Sequence, residues 1–558
     1  MDIKKIFPIL TSISGYNTLF LKKDTIAGIT LAAYGLPVSI AYASLAGLPP
    51  QYGIYGYLIG GVFYALFGTS RQLAIGPTSA ISLLIGTSIA TMANGDLQHW
   101  ADIASLTTLV FAILALSAYF LKLSGIINFI SATVLTGFKA GAALTIGLTQ
   151  LPKLLGIKGG GDYFYERIIL IFQQLSETNF MVFIFGLSAM IILILGEKFL
   201  PGRPIAIIVV ALSILLTSTT TLSEFNLNTV GYIPSGLPEF HFPILRVRDI
   251  DGVIPLAFAC FLLSYIESAS TARTMAQKND YPVDMKQELL ALGIANAATA
   301  LGQSYPVAGG LSQSAVNDTA GAKTPIALLF SSGAITLSLL FLTNYLQNLP
   351  TVILASIVLV AIKSLFDFDE LKHLFKINKK EFAIAMIALI GVLLFGILKG
   401  VIFASIVTLL MLIKATSNPT VAFLGRIPKT IRYTDISRHP DNEEIPGILI
   451  IRIESSIFYF NVENINERIW SKIDSSVKTV ILDMNSSPKI DIAGARFLKR
   501  LFLDLKAKNI DFKIAEARAE VRDTLRAENM EDLLGYISRF VSVNDLVEEA
   551  LKNQSESI

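Results

Sequence analysis

The sequence predicts an α-helical membrane protein of about fourteen spanning helices, arranged as two inverted halves of seven, with a small α/β domain behind them. Three observations carry this. Hydrophobic residues make up 53% of the 558 residues and charged residues only 16%, against roughly 25% charged in a soluble domain, and the mean hydropathy is +0.60. Apolar stretches of spanning length follow one another from Thr25 to Ser417. A Gly- and Pro-interrupted segment recurs at matching places in the two halves.

The same composition narrows the function. The 45 Lys plus Arg against 43 Asp plus Glu leave a formal charge of +2, too weak and dispersed for nucleic-acid binding as the main role. The single Cys260 excludes a disulfide framework and a Cys-based zinc site. His99, His241, His373 and His439 are too scattered to cluster. Neither a Gly-rich Walker loop nor a Cys/His nucleophile pair occurs, so no enzyme and no cofactor are expected. Residues 1–24 read as a cytoplasmic segment with no cleavable signal, and the first apolar helix is expected to be retained.

The transmembrane part is placed at 25–417. Its spans are read at 25–46, 52–67, 74–92, 102–121, 125–149, 180–196 and 204–220 in the first half. The second half repeats the count, at 252–275, 287–302, 308–320, 326–345, 350–364, 381–397 and 399–416. Each is bounded by Gly, Pro or charge, as at Gly47-Leu48-Pro49-Pro50, Pro201-Gly202-Arg203 and Asn279-Asp280. With the N-terminus inside, the inward loops hold Lys4, Lys5, Lys22, Lys23, Arg71, Lys122, Lys198, Arg203, Arg273, Lys278, Lys286 and others. The outward loops hold only Lys153, Lys158, Arg167, Arg246, Arg248 and Lys399. That asymmetry predicts cytoplasmic N- and C-termini in an inner or plasma membrane.

Residues 418–446 read as a charged linker and 447–558 as a soluble cytoplasmic domain. Gly447 to Ile453, Val477 to Asp483 and Phe512 to Ala515 have the pattern of buried strands, with helical stretches at 462–473, 493–508, 518–529 and 543–552. Strands alternating with helices predict an α/β fold.

Two features break the lipid rule. Glu267 puts a carboxyl near the middle of a span, at a cost of roughly 2.5 to 3.5 kcal/mol on the lenient insertion scale. It reads as a proton carrier, a cation ligand or an organiser of a binding site; a carboxyl paired with a neighbouring helix is the plain alternative. The segment Pro306 to Asp318 is too short before Lys323 to cross the bilayer as a helix and reads as a half-helix. Gly76-Pro77-Thr78-Ser79-Ala80 has the same character. Half-helix N-termini in mid-membrane hold anions with backbone N–H groups and the positive end of the dipole. Pro77 follows Val38 by 39 residues and Pro306 follows Glu267 by 39, so the motif recurs after 229. Two halves of seven helices then have opposite orientation. Lys139 reads as a loop or helix-end residue and Lys323 as a cytoplasmic anchor, neither a direct ligand.

The run Gly35-Leu36-Pro37-Val38-Ser39-Ile40-Ala41-Tyr42 through Gly47-Leu48-Pro49-Pro50-Gln51-Tyr52-Gly53 resembles the first-span signature of SulP anion transporters. Gln287-Glu288-Leu289, Gly293-Ile294-Ala295-Asn296 and Ser312-Gln313-Ser314-Ala315-Val316-Asn317 continue it, and the tail is similar to a STAS domain. The resemblance implies a mobile core and a gate domain, a homodimer in the lipid bilayer, and possible docking of a cytoplasmic regulator on the STAS domain. It implies an anion site at Tyr42, Thr78, Ser79, Gly310, Leu311, Ser312 and Gln313, with the positions of Val38, Glu267 and Thr271 around it; because a carboxylate repels an anion, Glu267, with Thr271 one turn on, is expected to hold a coupling ion. Many members have Gln or Glu where Val38 stands and Arg where Gln313 stands, so a co-bound cation such as sodium would supply the missing charge. Ala493, in the loop Asp491-Ile492-Ala493-Gly494, cannot be phosphorylated as the serine of related soluble domains is.

The expected function is secondary active transport of a small anion of the bicarbonate, sulfate or dicarboxylate class by an elevator-type mechanism, coupled to sodium or a proton through Glu267. An uncoupled anion channel or exchanger is the competing reading. A sensor or scaffold acting through the STAS domain is a third.

Overall fold

The computed structural model describes residues 6–93, 96–123, 132–161, 163–200, 205–219, 227–244 and 246–556. Lys4, Lys5, Arg203 and the 125–131 start of the fifth expected span lie outside them. The chain forms two compact units, Met1–Thr408 and Leu409–Ile558.

The first unit opens with a short α1 (Ile9–Ile13), followed by α2 (Thr18–Leu45), α3 (Pro50–Phe67), a two-residue strand β1 (Ile75–Gly76) and α4 (Ser79–Ala93). Then come α5 (Leu97–Phe120), α6 (Ala132–Leu155), α7 (Phe164–Gln174), α8 (Phe180–Phe199) and α9 (Ile205–Thr219). The second half runs α10 (Ile250–Lys278), α11 (Met285–Leu301), β2 (Ala308–Gly309), α12 (Leu311–Thr319), α13 (Ile326–Phe341) and α14 (Thr351–Ala361). It ends with α15 (Phe368–Ile377), α16 (Lys379–Phe395) and α17 (Ile397–Ser417). Each of the fourteen expected spans meets one of these helices. Among the described residues, three helices are long and apolar enough by length and composition to cross a membrane, Thr18–Leu45, Gln98–Phe120 and Ile250–Lys278, or four if the bent pair Phe164–Glu177 and Phe180–Gly196 makes one span.

Caps explain where the helices begin. Asn17 accepts from Phe20 N at 2.9 Å, Asp96 from Gln98 N at 3.0 Å and Asp284 from Lys286 N at 2.9 Å, each satisfying an otherwise orphaned donor. Besides the short α1, two helices were not expected from the sequence, α7 and α15. Both carry apolar residues on one side only, and each follows the fifth helix of its half, α6 and α14 respectively. That repetition, together with the β1 and β2 strands each standing before a short helix, marks the two halves as one plan used twice.

The unit separates into a core and a gate. α11 packs on α5 and α3, and α13 on α2 and α3, whereas α6, α8, α14 and α16 pack on one another. Core helices approach very closely at Gly53, where a Cβ would sit 2.1 Å from the Ser39 carbonyl oxygen. Two buried carboxylates knit the core together. Glu288 accepts from Tyr64 Oη at 2.6 Å, Thr69 N at 2.7 Å, Thr69 Oγ1 at 2.5 Å and Ser70 N at 3.1 Å. Asp24 accepts from Lys323 N at 2.6 Å and Thr324 Oγ1 at 2.6 Å. Each side chain spends its acceptor capacity on chain termini of helices, which is how a buried carboxylate is retained in an apolar body.

The second unit is a five-stranded sheet of order β4-β3-β5-β6-β7, built from β3 (Val421–Arg426), β4 (Tyr433–Asp435), β5 (Ile448–Ile453), β6 (Thr479–Asp483) and β7 (Asp511–Ala515). β5, β6 and β7 are parallel, connected through α18 (Val462–Trp470) and α19 (Ile492–Ala507), with α20 (Ala519–Ala527) and α21 (Val543–Glu556) following. The three expected strands and four expected helices are all present. Residues 418–446 are not a linker: they carry β3 and β4, and β3 pairs antiparallel with β5 from Val421↔Ile453 to Leu424↔Ile450. Ala493 lies in the first turn of α19, whose N-cap Asp491 accepts from Gly494 N at 2.7 Å.

Candidate functional site

The breaks in α4 and α12 require extended backbone in the middle of the unit, where every N–H and C=O needs a protein partner. The partners come from each other and from small polar side chains. β1 and β2 pair antiparallel, Ile75↔Gly309 and Gly76↔Ala308. Val307 N donates to Asn296 Oδ1 at 2.9 Å, while Val307 O accepts from Asn296 Nδ2 at 3.1 Å and Ser264 Oγ at 3.0 Å. Gly309 N donates to Ser268 Oγ at 2.8 Å, Ala74 N to Ser314 Oγ at 2.9 Å, and Asn317 Nδ2 to the Gln72 carbonyl at 3.1 Å. Asn296, Ser264, Ser268, Ser314 and Asn317 are therefore the frame of the site. In the sequence Asn296, Ser314 and Asn317 stand only as motif letters, and the signal for this role is a polar residue on an otherwise apolar helix.

This frame aims two helix N-termini at one space. α4 begins at Ser79, with Ser82 N bonded to Thr78 O at 2.9 Å, and α12 begins at Leu311, with Gly310 as its N-cap. Gly310 offers no side-chain acceptor to the first turn of α12. α12 thus begins within the expected 308–320 stretch; Pro306 precedes β2, so the repeat is three residues longer between the helix starts than between the two prolines.

Between them lies a cavity of about 120 Å³. Tyr42, Thr78, Ser79, Gly310, Leu311, Ser312 and Gln313 line it, and so do Glu267 and Thr271. The nine residues singled out from the sequence are brought to one place. Val38, one turn before Tyr42, is buried and is not among the lining residues. Lys139, from the middle of α6, also lines the cavity, so it is neither a loop nor a helix-end residue. Ser270 and Thr274 extend the lining, both exposed, and the space opens past them toward the C-terminal end of α10. Leu365 and Ala361 close the gate side.

Hydrogen bonds fix the polar groups. Thr78 Oγ1 donates to Glu267 Oε2 at 3.3 Å, tying α4 to α10. Gln313 Nε2 donates to the Pro77 carbonyl at 2.7 Å, tying the two half-helices directly. A carbonyl only accepts, so the Gln313 amide nitrogen must face Pro77 and its Oε1 must face away. That Oε1 is buried and has no hydrogen-bond partner among the described residues. An unpaired buried acceptor of this kind costs about 1–3 kcal/mol until a donor or cation reaches it.

The arrangement offers two kinds of ligand at once. First-turn amides and positive dipole ends suit an anion, and the oxygens of Glu267, Thr271 and Gln313 suit a hard cation. The space is far smaller than the roughly 300–1,000 Å³ of sites for drug-sized ligands, which fits an ion. Among the described residues no group of three or more His, Cys, Asp or Glu is placed to hold a metal ion.

Comparison with known proteins places the family and the fold. Residues 21–388 match the model of the sulfate permease family and residues 439–549 that of the STAS domain. The chain is 32% identical over 577 residues to the chloroplastic sulfate transporter 4.1 of Arabidopsis thaliana, covering 99% of this chain and 83% of that one. It is 29% identical over 536 residues to a probable sulfate transporter of Mycobacterium tuberculosis, covering 96% of each. Among solved structures, SLC26A9 superimposes with a TM-score of 0.89 at 21% identity over 100% of this chain and 94% of that one. The transmembrane domain of the cyanobacterial bicarbonate transporter BicA gives 0.59 at 21% identity, over 71% of this chain and 98% of that one. These two likenesses establish the fold. The site and the fold together define a membrane anion transporter. The chain belongs to the sulfate permease family, as a member with a C-terminal STAS domain, and is not an enzyme.

Proposed function

We propose that this protein is a sodium-coupled carrier of sulfate or a closely similar small oxyanion, working by alternating access of an elevator type. The observation that carries this reading is the meeting of two half-helix N-termini in one ion-sized cavity that also contains a carboxylate. An anion held by amides and hydroxyls beside Glu267 is repelled by it unless a cation or proton neutralises the carboxyl. Glu267, Thr271 one turn further on, and the unpartnered Gln313 Oε1 provide oxygens for sodium. The relatives named sulfate transporters favour sulfate over bicarbonate or a dicarboxylate.

The core carries both half-helices and α10, and slides against the gate to expose the cavity to each side in turn. The basic residues Arg273, Lys278 and Lys286 cluster at the end of α10 toward which the cavity opens, so the positive-inside rule makes this the cytoplasmic opening, with both termini on the same side. The working unit is a homodimer.

The test is uptake of radiolabelled sulfate by proteoliposomes against a panel of competing anions. Saturable flux with counterflow on addition of unlabelled sulfate supports a carrier; linear, non-saturating flux supports a channel. Absence of any flux would leave the sensor reading standing.

A further inference from the structure

The cavity joins two charged side chains that belong to different bodies. Glu267 is fixed to the core: Thr78 donates to it, and its neighbours Ser264 and Ser268 bond to Val307 O and Gly309 N. Lys139 is fixed to the gate. Two residues to either side of it, Gly137 and Gly141 press α6 onto α16, where added Cβ atoms would lie 1.9 Å from the Ala385 carbonyl oxygen and 2.9 Å from that of Leu389. Successive helix residues are about 100° apart, so Lys139 stands on the face opposite the two glycines. The tight packing of α6 on α16 thus aims the ammonium away from the gate and into the cavity that holds Glu267. The two are not locked together: among the described residues no ion pair within 4.0 Å involves Lys139.

We propose that Lys139 is a positioning residue that expels the coupling cation: on the side to which the cavity opens, its ammonium competes with sodium for Glu267. The inference rests on the sodium-coupled reading above. A carboxylate between two cations is attracted to both while the cations repel each other, so a fixed ammonium lining the same cavity weakens sodium binding without changing its ligands. Sliding of the core carries Glu267 away from the gate helix and restores sodium affinity on the opposite face. The ammonium also keeps the cavity from becoming net negative once sodium has left, which lets the anion leave or rebind independently. This direction follows from which body bears each charge: the displacing charge stays with the gate, and the site travels.

The experiment measures sodium affinity without transport. Purified full-length protein in detergent is titrated with sodium, with potassium as control, and ligand-linked thermal stabilisation is recorded for the wild type, Lys139→Gln, Lys139→Arg and Glu267→Gln. Lys139→Gln is expected to bind sodium about tenfold more tightly, Lys139→Arg to match the wild type, and Glu267→Gln to lose the sodium-specific shift. Lys139→Met repeats the charge deletion should Lys139→Gln not fold. A wild type with a saturable sodium shift that Lys139→Gln leaves unchanged overturns the role of Lys139 alone. The same follows if Lys139→Gln raises the sulfate KM while sodium affinity stays fixed, since Lys139 would then hold the anion. A wild type that responds equally to sodium and potassium overturns the coupling reading and this inference together.

Discussion

At Gln313 a single side chain bears directly on the proposed ion site. An arginine there would carry the positive charge itself; glutamine spends its nitrogen on Pro77 and leaves an oxygen unpartnered. Gln313→Arg should therefore reduce the dependence of uptake on sodium several-fold, read as the ratio of rates with sodium and with potassium. An unchanged ratio would show that Gln313 is remote from the cation. Glu267→Gln should abolish gradient-driven uptake while sulfate–sulfate exchange persists, and Thr271→Val should raise the sodium concentration needed for half-maximal uptake. Full concentrative transport by Glu267→Gln would contradict the role of the carboxyl. The nine site residues were legible because a carboxyl, glycines and hydroxyls stand out against apolar spans, and because the motif letters around them resemble a known family. Lys139 was discounted for a physical reason. A lysine within an apolar run next to glycines gives no sign of which helix it will face, and that depends on α6 packing against α16.

Elements were legible in proportion to how apolar they are. All fourteen spans were found, but α7 and α15 were not, since a helix apolar on one side only does not register as a span. β3 and β4 were read as linker because charge at Arg426, Lys429 and Arg432 hid the short apolar run Val421 to Leu424. The start of α12 was legible from its glycines, whereas β2 between Pro306 and that start was not, because no local pattern announces its pairing with β1. The extended segment before β2 depends on Asn296, which satisfies both backbone groups of Val307. Asn296→Leu would leave a buried N–H unpaired, at a cost of about 1–3 kcal/mol. A lower melting temperature and a lower maximal uptake rate are expected, and thermal unfolding in detergent reads the first. A melting curve that coincides with the wild type would mean the crossing strands are held in some other way.

At the scale of the whole molecule, every residue lining the cavity belongs to the first unit, and the sheet of the second unit begins at Val421. A truncation meant to remove the STAS domain must therefore end near Ser417, because a cut near residue 440 strands β3 and β4 without their partner β5. Deletion of residues 418–558 should lower expression or turnover and leave the order of competing anions unchanged. An altered anion preference would assign the second unit a part in recognition. The division of labour was clear from the change in composition after Ser417, and only its exact boundary required the strand pairing. What binds the whole account together is the claim that a cation neutralises Glu267 while the two half-helices hold the anion. The most direct test is sulfate accumulation in liposomes under an inward sodium gradient, with pH and membrane potential clamped. The account predicts saturable accumulation above the equilibrium level that disappears when potassium replaces sodium. Sulfate that merely equilibrates, or that accumulates only under a pH gradient, would contradict it.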